Sequence, residues 1–279
     1  MPTPPKLARA VASSSVPPPL PGATGARFSQ RNLDLRVLLV SLALLIAWDL
    51  LELDLPISSL FADGGGFALR DQWFFAGVLH SGSRWLAWGV ALVLAAGIWK
   101  PLPFARHLTR RERIDWVIAM LACALLIPML KVFSLTSCPW SLAEFGGSAT
   151  HVSHWLIGQA DGGPGRCFPG GHATAAFCFL PGYLILRAGA PRAARRWLGV
   201  TLAAGALLTL VQVVRGAHYV SHSLWTGWFC YVLSLISLGA LRRAAAIRSN
   251  GETAWRRRPW PLSQAQVEPA TAELTRIAR

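Results

Sequence analysis

Residues 197–241 read WLGVTLAAGALLTLVQVVRGAHYVSHSLWTGWFCYVLSLISLGAL, and this stretch predicts two neighbouring membrane-spanning helices. Two apolar runs, 197–214 and 221–241, flank a short polar segment. A run of about 18 residues covers about 27 Å as an α-helix, which is close to the thickness of the hydrocarbon core of a bilayer. The segment from Arg215 to His222 is therefore expected at one membrane surface, between two spanning helices.

The composition supports the same class of protein. Of the 279 residues, 53% are hydrophobic and only 14% are charged, whereas soluble domains carry about 25% charged residues. We therefore predict an all-α fold, a polytopic membrane protein with a six-transmembrane helix bundle and an active site at its outer face. The predicted spans are 37–55, 85–99, 114–133, 173–190, 197–214 and 221–241.

The distribution of positive charge predicts the orientation. With a cytoplasmic N-terminus, 22 of the 27 Lys and Arg residues fall on the inner side, as the positive-inside rule requires. Both termini are then cytoplasmic. Because the net charge of +14 is an orientation signal with some attraction to anionic membrane lipids, we do not expect a nucleic-acid partner.

The chain divides into three predicted parts. Residues 1–36, which include a proline-rich start, are expected to be a disordered cytoplasmic leader. Residues 37–244 form the six-span domain, and residues 245–279 form a basic cytoplasmic tail. The pattern around residues 73–80 predicts an amphipathic helix lying on the outer membrane surface.

Two cysteines, Cys138 and Cys167, fall in the same long outer loop. An oxidising compartment permits a disulfide between them. Two free thiols are the alternative, because sequence does not give the distance between the side chains.

A glycine segment, Pro169-Gly170-Gly171-His172, stands directly before an apolar run. Free backbone N–H groups at the start of a helix favour an anion, and glycine lets the backbone approach a phosphate closely. The alternative is an ordinary loop-to-helix turn in which His172 only caps the helix.

A second polar segment carries Arg215, His218 and His222, whose spacing places all three on one helix face. Ionisable groups at the mouth of a span indicate a functional site. A hydrogen bond from His222 would fix the tautomer of His218 and leave one ring nitrogen free as a nucleophile. The alternative is an interfacial cluster that extends toward water. Lys131, near the outer end of the third span, either extends to water in the same way or binds a phosphate oxygen.

These segments resemble the signature of the type-2 phosphatidic acid phosphatase superfamily, which carries K-x6-R-P, P-S-G-H and S-R-x5-H-x3-D. Lys131 and Pro139 match the first motif, with Cys138 in place of its arginine. In the second motif Gly170 replaces the serine before Gly171 and His172.

In the third motif, the stretch from Gly216 to His222 resembles the common G-A-H-Y-P-S-D. His218 corresponds to the nucleophile, and His222 replaces the aspartate. The motif arginine falls at Gln212, and Arg215 is the candidate substitute for it. Arg166, six residues before His172, is the candidate substitute for the first-motif arginine that Cys138 replaces.

The resemblance implies a lipid phosphatase of a bacterial inner membrane that acts at the periplasmic face without a metal or another cofactor. It implies that His218 attacks phosphorus and forms a phosphohistidine, and that His172 protonates the leaving group. Lys131, Arg215, Arg166 and the amides of Gly170 and Gly171 would bind the phosphate. The implied substrate is a lipid phosphate or pyrophosphate.

Two other functions stay open at this level. His218 and His222 have the i, i+4 spacing of a helical zinc pair, with His172, His151 or His154 as a third ligand. The altered motifs are also compatible with a degenerate relative that binds a phospholipid without catalysis. Oligomeric state is not predicted.

Overall fold

A computed structural model describes residues 23–63 and 65–256, and within them the chain is helical, with only two isolated β-bridges. A π-helix, Phe74–Gly82, directly precedes the third α-helix. The α-helices are α1 (Ala23–Leu50), α2 (Asp54–Ser59), α3 (Ser83–Ala96), α4 (Arg110–Val132), α5 (Thr174–Phe177), α6 (Pro181–Leu186), α7 (Pro191–Val214) and α8 (Val220–Arg256).

Three helical segments of the described chain are long and apolar enough to cross a membrane. They are Arg110–Val132, Pro191–Val214 and Val220–Ser249. These three correspond to the predicted third, fifth and sixth spans, with only residue 133 of the third span left outside, and they indicate a multi-pass membrane protein. The count of six spans stays a prediction.

Both ends of the predicted membrane domain need correction. Helix α1 begins at Ala23, so residues 23–36 are helical and not a disordered leader. The reason is a tertiary contact, because Asp34 accepts hydrogen bonds from Arg187 and from Tyr231 Oη. Helix α8 likewise continues to Arg256, into the predicted tail. The rest of the leader and of the tail, 1–22 and 257–279, lies outside the described residues.

The helix predicted at residues 73–80 is present, but it is a π-helix, Phe74–Gly82. The π-helix Phe74–Gly82 continues into α3 without a break, because Ser83, at its end, keeps right-handed helical dihedrals. The two elements therefore form one helical run from residue 74 to residue 96. A π-helix is rare, and it frequently occurs at functional sites.

The predicted span 173–190 is interrupted in the structure. Helix α5 ends at Phe177, and α6 starts at Pro181, which is the position where proline is tolerated best. The carbonyl of Phe179 between them accepts a hydrogen bond from Trp197 Nε1 on α7, at 2.8 Å. The same carbonyl also accepts from the N–H of Gly182 at 3.1 Å, so it has one partner within the broken helix and one on α7.

The core lies where α4 packs against α8 and against the broken helix α5–α6. Cys123 on α4 is fully buried, and its Sγ donates to the carbonyl of Cys230 on α8 at 3.4 Å. Glycine allows the close approach of α7, since a Cβ at Gly205 would lie 2.3 Å from the Phe177 ring. Because the helices alternate in direction, the end of α4, the start of α5, the end of α7 and the start of α8 meet at one end of the bundle. We call it the histidine end.

Candidate active site

Short loops place the predicted site residues at the histidine end. Lys131 is the penultimate residue of α4, and His172 lies two residues before α5. Arg215 directly follows α7, and His218 lies two residues before α8. The structure therefore brings together residues that lie far apart in the sequence, as the motif spacing predicts.

A disulfide closes the long loop between α4 and α5, because it joins the start of this loop to its end. The sulfur atoms of Cys138 and Cys167 are bonded to each other, and Cys167 is fully buried. The same loop is connected to the third motif, because the N–H of Trp140 donates to the carbonyl of Gly216 at 3.0 Å. The covalent and hydrogen-bonded links hold the three motif segments in one arrangement.

His218 is enclosed by this arrangement and is only 3% exposed. Its Nδ1 lies 3.3 Å from Sγ of Cys167. Burial, together with the charge of Lys131, holds the pKa of His218 well below the ordinary value for histidine. With Nδ1 turned to the disulfide, Nε2 is the ring nitrogen left for a ligand, and the low pKa keeps it unprotonated and nucleophilic.

His222 does not make the predicted hydrogen bond with His218. Its Nδ1 lies 3.1 Å from the carbonyl oxygen of Cys167, while the ring centroids of the two histidines are 6.1 Å apart. His222 is 1% exposed and packs edge-on against Phe168 and Tyr219. The prediction was wrong because the backbone carbonyl of Cys167, and not His218, is the partner of His222 Nδ1.

His172 has a different environment. Its Nε2 is buried and has no hydrogen-bond partner among the described residues. Burial lowers the pKa of His172 to about 3, with further lowering by His80, Lys131, Arg84 and Arg215. A bound dianion would offset these positive charges and raise the pKa again. The ring is therefore suited to take up a proton when an anionic substrate is bound.

Gly171 and Lys131 form the centre of an anion site. A Cβ at Gly171 would lie 3.4 Å from Lys131 Nζ, so the glycine lets the ammonium group reach the backbone. The N–H of Gly171 has no acceptor among the described residues. The amide of Gly170, in contrast, donates to the carbonyl of His222 at 2.9 Å. The prediction that both amides are free for phosphate is thus wrong for Gly170, whose N–H anchors the loop.

Arg215 is buried at the end of α7. Its Nε donates to the carbonyl of Arg70 at 2.8 Å, and its Nη1 is buried with no partner among the described residues. One side of the guanidinium is thereby fixed, and the other remains available to an acceptor. The next residue, Gly216, has φ +66°, and a Cβ there would lie 2.3 Å from the ring of Phe67. Only glycine fits this turn, which connects Arg215 with His218.

Arg166 is placed differently from the other predicted phosphate ligands. It is exposed, and its backbone N–H donates to the carbonyl of Ser134 at 2.7 Å. No contact joins its side chain to the histidines in the described structure. Besides Lys131 and Arg215, a third cation lowers the pKa of His172. It is Arg84 of α3, which the motif analysis did not select.

The zinc hypothesis finds little support in the geometry. The group with metal-ligand spacing in the described chain is Cys138, Cys167 and His218. Its two sulfur atoms are bonded to each other and are therefore not thiolate ligands. His218 and His222 both direct Nδ1 to Cys167, so they do not face a common metal position.

Sequence reasoning also missed a carboxylate next to the site. Asp49 of α1 accepts hydrogen bonds from Trp155 Nε1 at 2.9 Å and from Trp225 Nε1 at 2.8 Å, and it lies 3.4 Å from His154 Nε2. The ring of His154 stacks on Phe168 with 4.2 Å between centroids. An aspartate inside an apolar run was the available signal, since such residues are retained for a partner.

The site therefore combines a buried unprotonated histidine, a second histidine with a free Nε2, a free glycine amide and several cations. Such an arrangement binds a tetrahedral oxyanion and presents a nitrogen to its central atom. No described carboxylate forms an ion pair with Lys131, His172 or His218, so an anionic ligand is favoured there over a cationic one.

Comparison with known proteins agrees with this chemistry. Residues 114–245 match the sequence model of the PAP2 superfamily, which confirms the resemblance to type-2 phosphatidic acid phosphatases. The matched range runs from the first turns of α4 into α8 and includes all three motif segments. Searches of curated proteins and of solved structures found no match.

Proposed function

We propose that this chain, whose residues 114–245 form a PAP2 superfamily domain, is a membrane lipid phosphatase that removes the phosphoryl group from a lipid phosphate or pyrophosphate. PAP2 membership supports a lipid-phosphatase-like function for the chain. The observation that carries the proposal is the position of His218, buried beside the disulfide with a lowered pKa and near Lys131 and His172.

The reaction has two steps. In the first, Nε2 of His218 attacks phosphorus in line, an N–P bond forms, and the P–O bond to the leaving group breaks. His172 gives its proton to the leaving oxygen. In the second step, His172 takes a proton from water, the hydroxide attacks phosphorus, and the N–P bond breaks. The enzyme returns to its starting state, and the bonds and protons of the two steps balance without a metal or cofactor.

The cations supply most of the transition-state stabilisation. Lys131, Nη1 of Arg215 and the amide of Gly171 lie at fixed positions before substrate binds. Preorganised donors of this kind lower the barrier of phosphoryl transfer without reorganisation during the reaction. The negative charge of the substrate also raises the pKa of His172 and thereby provides the protonated acid.

We place this reaction at the periplasmic face of a bacterial inner membrane, with both termini in the cytoplasm. Lys and Arg are concentrated on the opposite side of the predicted bundle. A disulfide close to His218 also suits an oxidising compartment. The lipid tail would remain in the outer leaflet beside the helices.

The deciding experiment measures phosphate release by purified protein in detergent, with a chelator present. The substrates are phosphatidic acid, phosphatidylglycerol phosphate, a polyprenyl pyrophosphate and lipid A phosphate. Wild type should release phosphate from at least one of them, and His218→Ala should release none. His107→Ala, at the opposite end of the bundle, is the matched control and should keep wild-type activity.

One observation favours a second candidate, a phospholipid-binding protein without catalysis. Nδ1 of His218 faces a disulfide sulfur and not a carboxylate, so the imidazolium that forms during attack lacks a negative partner. A wild-type protein that binds these lipids but releases no phosphate from any of them would support this candidate and refute the phosphatase.

A further inference from the structure

Two residues of the helical run 74–96 reach the histidine end from outside the three motif segments. They are His80 on the π-helix and Arg84 on α3, four positions apart. Neither belongs to the range that matches the family. The ring of His80 stacks on that of His172, and Arg84 lines a groove together with Gly171, the residue before His172.

His80 packs on the face of His172. The ring centroids are 3.6 Å apart, and the planes are tilted by 30°. No hydrogen bond from a described residue orients the His172 ring, and its Nε2 has no partner. In most acid–base histidines a carboxylate or a carbonyl fixes the ring. Here the stacked ring of His80 is the contact that limits rotation of His172.

Arg84 lines a groove with a volume of about 170 Å³. Gly171 and Thr174 line the same groove, together with apolar side chains such as Trp88 and Leu121. The Arg84 side chain is exposed and forms no ion pair with a described carboxylate. Lys131 Nζ lies 3.4 Å from the position that a Cβ of residue 171 would occupy. Two cations therefore lie near one free backbone amide.

We propose that the helical run 74–96 completes the active site, with Arg84 as a phosphate-binding residue and His80 as the positioning residue for His172. The inference rests on the proposed function for His80, because His172 must act as an acid. For Arg84 it rests only on anion binding. The planar guanidinium forms two hydrogen bonds to one phosphate group, while the adjoining apolar groove leaves room for the first carbons of a lipid chain.

Phosphate binding tests Arg84 without any turnover. The dissociation constant of inorganic phosphate is measured by calorimetry for the full chain in detergent. Arg84→Ala should bind about tenfold more weakly, and Arg84→Lys should recover part of the loss, since the charge remains without the bidentate geometry. Arg106→Ala, in the loop at the other end of α3, is the control. Equal binding by Arg84→Ala and wild type would mean that the guanidinium only extends to the lipid headgroups, and would overturn its role.

Turnover tests His80. His80→Ala should lower kcat about tenfold or more, because a loosely held acid spends little time in the productive orientation. KM and the phosphate dissociation constant should stay within about twofold of wild type. His80→Phe keeps a flat ring at the stacking position, so it should restore most of the lost kcat. Failure of His80→Phe to improve on His80→Ala, or an unchanged kcat in His80→Ala, would refute positioning by stacking.

The experiments distinguish a failure of the roles given to His80 and Arg84 from a failure of the proposed function. If wild type releases no phosphate from any lipid, the phosphatase and the role of His80 both fall. The binding measurement on Arg84 is unaffected by that outcome. If wild type is active and both Arg84→Ala and His80→Ala equal it in binding and turnover, the phosphatase stands and the inference falls.

Discussion

Nδ1 of His218 lies 3.3 Å from Sγ of Cys167, which is bonded to Cys138. The proposed nucleophile thus packs against a covalent link between the two ends of the loop that joins α4 to α5. The same residue, Cys167, also offers its carbonyl to His222 at 3.1 Å. One residue of the disulfide therefore positions both histidines of the third motif segment, a role that neither histidine spacing nor cysteine spacing indicates alone.

Reduction of the disulfide should therefore inactivate the protein. A link across 29 residues stabilises the fold by about 3–4 kcal/mol through the unfolded chain, and its loss frees the loop that faces His218. We expect treatment with a dithiol reductant to lower phosphate release at least about tenfold and to lower Tm. The measurement is turnover and thermal unfolding before and after reduction.

The control for this prediction is the double variant Cys138→Ala/Cys167→Ala. It should show the low activity without any further response to reductant. Full activity in the double variant would contradict the positioning role of the disulfide. The other described cysteines, Cys123, Cys178 and Cys230, are buried and free, so a response to reductant that persists in the double variant would come from elsewhere.

The lowered pKa of His172 predicts that acid destabilises the fold. The pKa is about 3 in the folded protein and about 6.5 in an unfolded chain. Between these values the unfolded state binds more protons, so the free energy of unfolding falls as the pH decreases from about 6.5 toward 3. The slope is at most about 1.4 kcal/mol per pH unit for this group.

Thermal unfolding in detergent between pH 7 and pH 4 measures this effect. His172→Gln cannot take up the proton, so its Tm should decrease less over this range than that of wild type. The same decrease in both proteins would show that other groups, such as buried His218, account for the pH dependence.

Gly216 gives a prediction about backbone geometry. Its φ is +66°, and a Cβ would lie 2.3 Å from Cδ2 of Phe67, which is buried. Gly216→Ala should reduce stability by about 2–4 kcal/mol through strain and overlap. It should also lower kcat/KM, because the turn joins Arg215 to His218. Gly239→Ala, in α8, meets no atom within 4 Å and should raise Tm slightly or leave it unchanged. Equal Tm values for the two variants would refute the requirement for glycine at 216.

The order of the motif segments predicted where they meet, but short spacing did not predict their local geometry. Arg215 and His218 do not share a helix face with His222, because α7 ends at Val214, Gly216 has φ +66° and α8 begins at Val220. Lys131, Gly171, His172 and His218 meet at the histidine end, as the order of the segments predicts. His80 was not predictable as a neighbour of His172. The side chains of a π-helix follow a different angular spacing from those of an α-helix, so a pattern read with an α-helical period gives the wrong face.

The role of His222 and the start of α1 show a second limit. The hydrogen bond of His222 goes to a backbone carbonyl, and backbone carbonyls carry no sequence signal. Helix α1 extends through residues that look like a leader because Asp34 pairs with Arg187, 153 residues away. Contacts at such separations depend on the assembled bundle and not on local pattern.

That ion pair supports the last prediction. Arg187 donates two hydrogen bonds to Asp34, at 2.5 Å and 2.6 Å, and both side chains are nearly buried. Removal of one partner leaves the other charge buried and unpaired, so Asp34→Asn should lower the free energy of unfolding by about 3 kcal/mol. Arg36→Gln, exposed on the same helix, should change it by less than about 0.5 kcal/mol. In a double-mutant cycle, Asp34→Asn/Arg187→Gln should be more stable than the sum of the single changes predicts, because neither charge remains. Additive losses would mean that α1 is held to α6 by its apolar contacts and not by this pair.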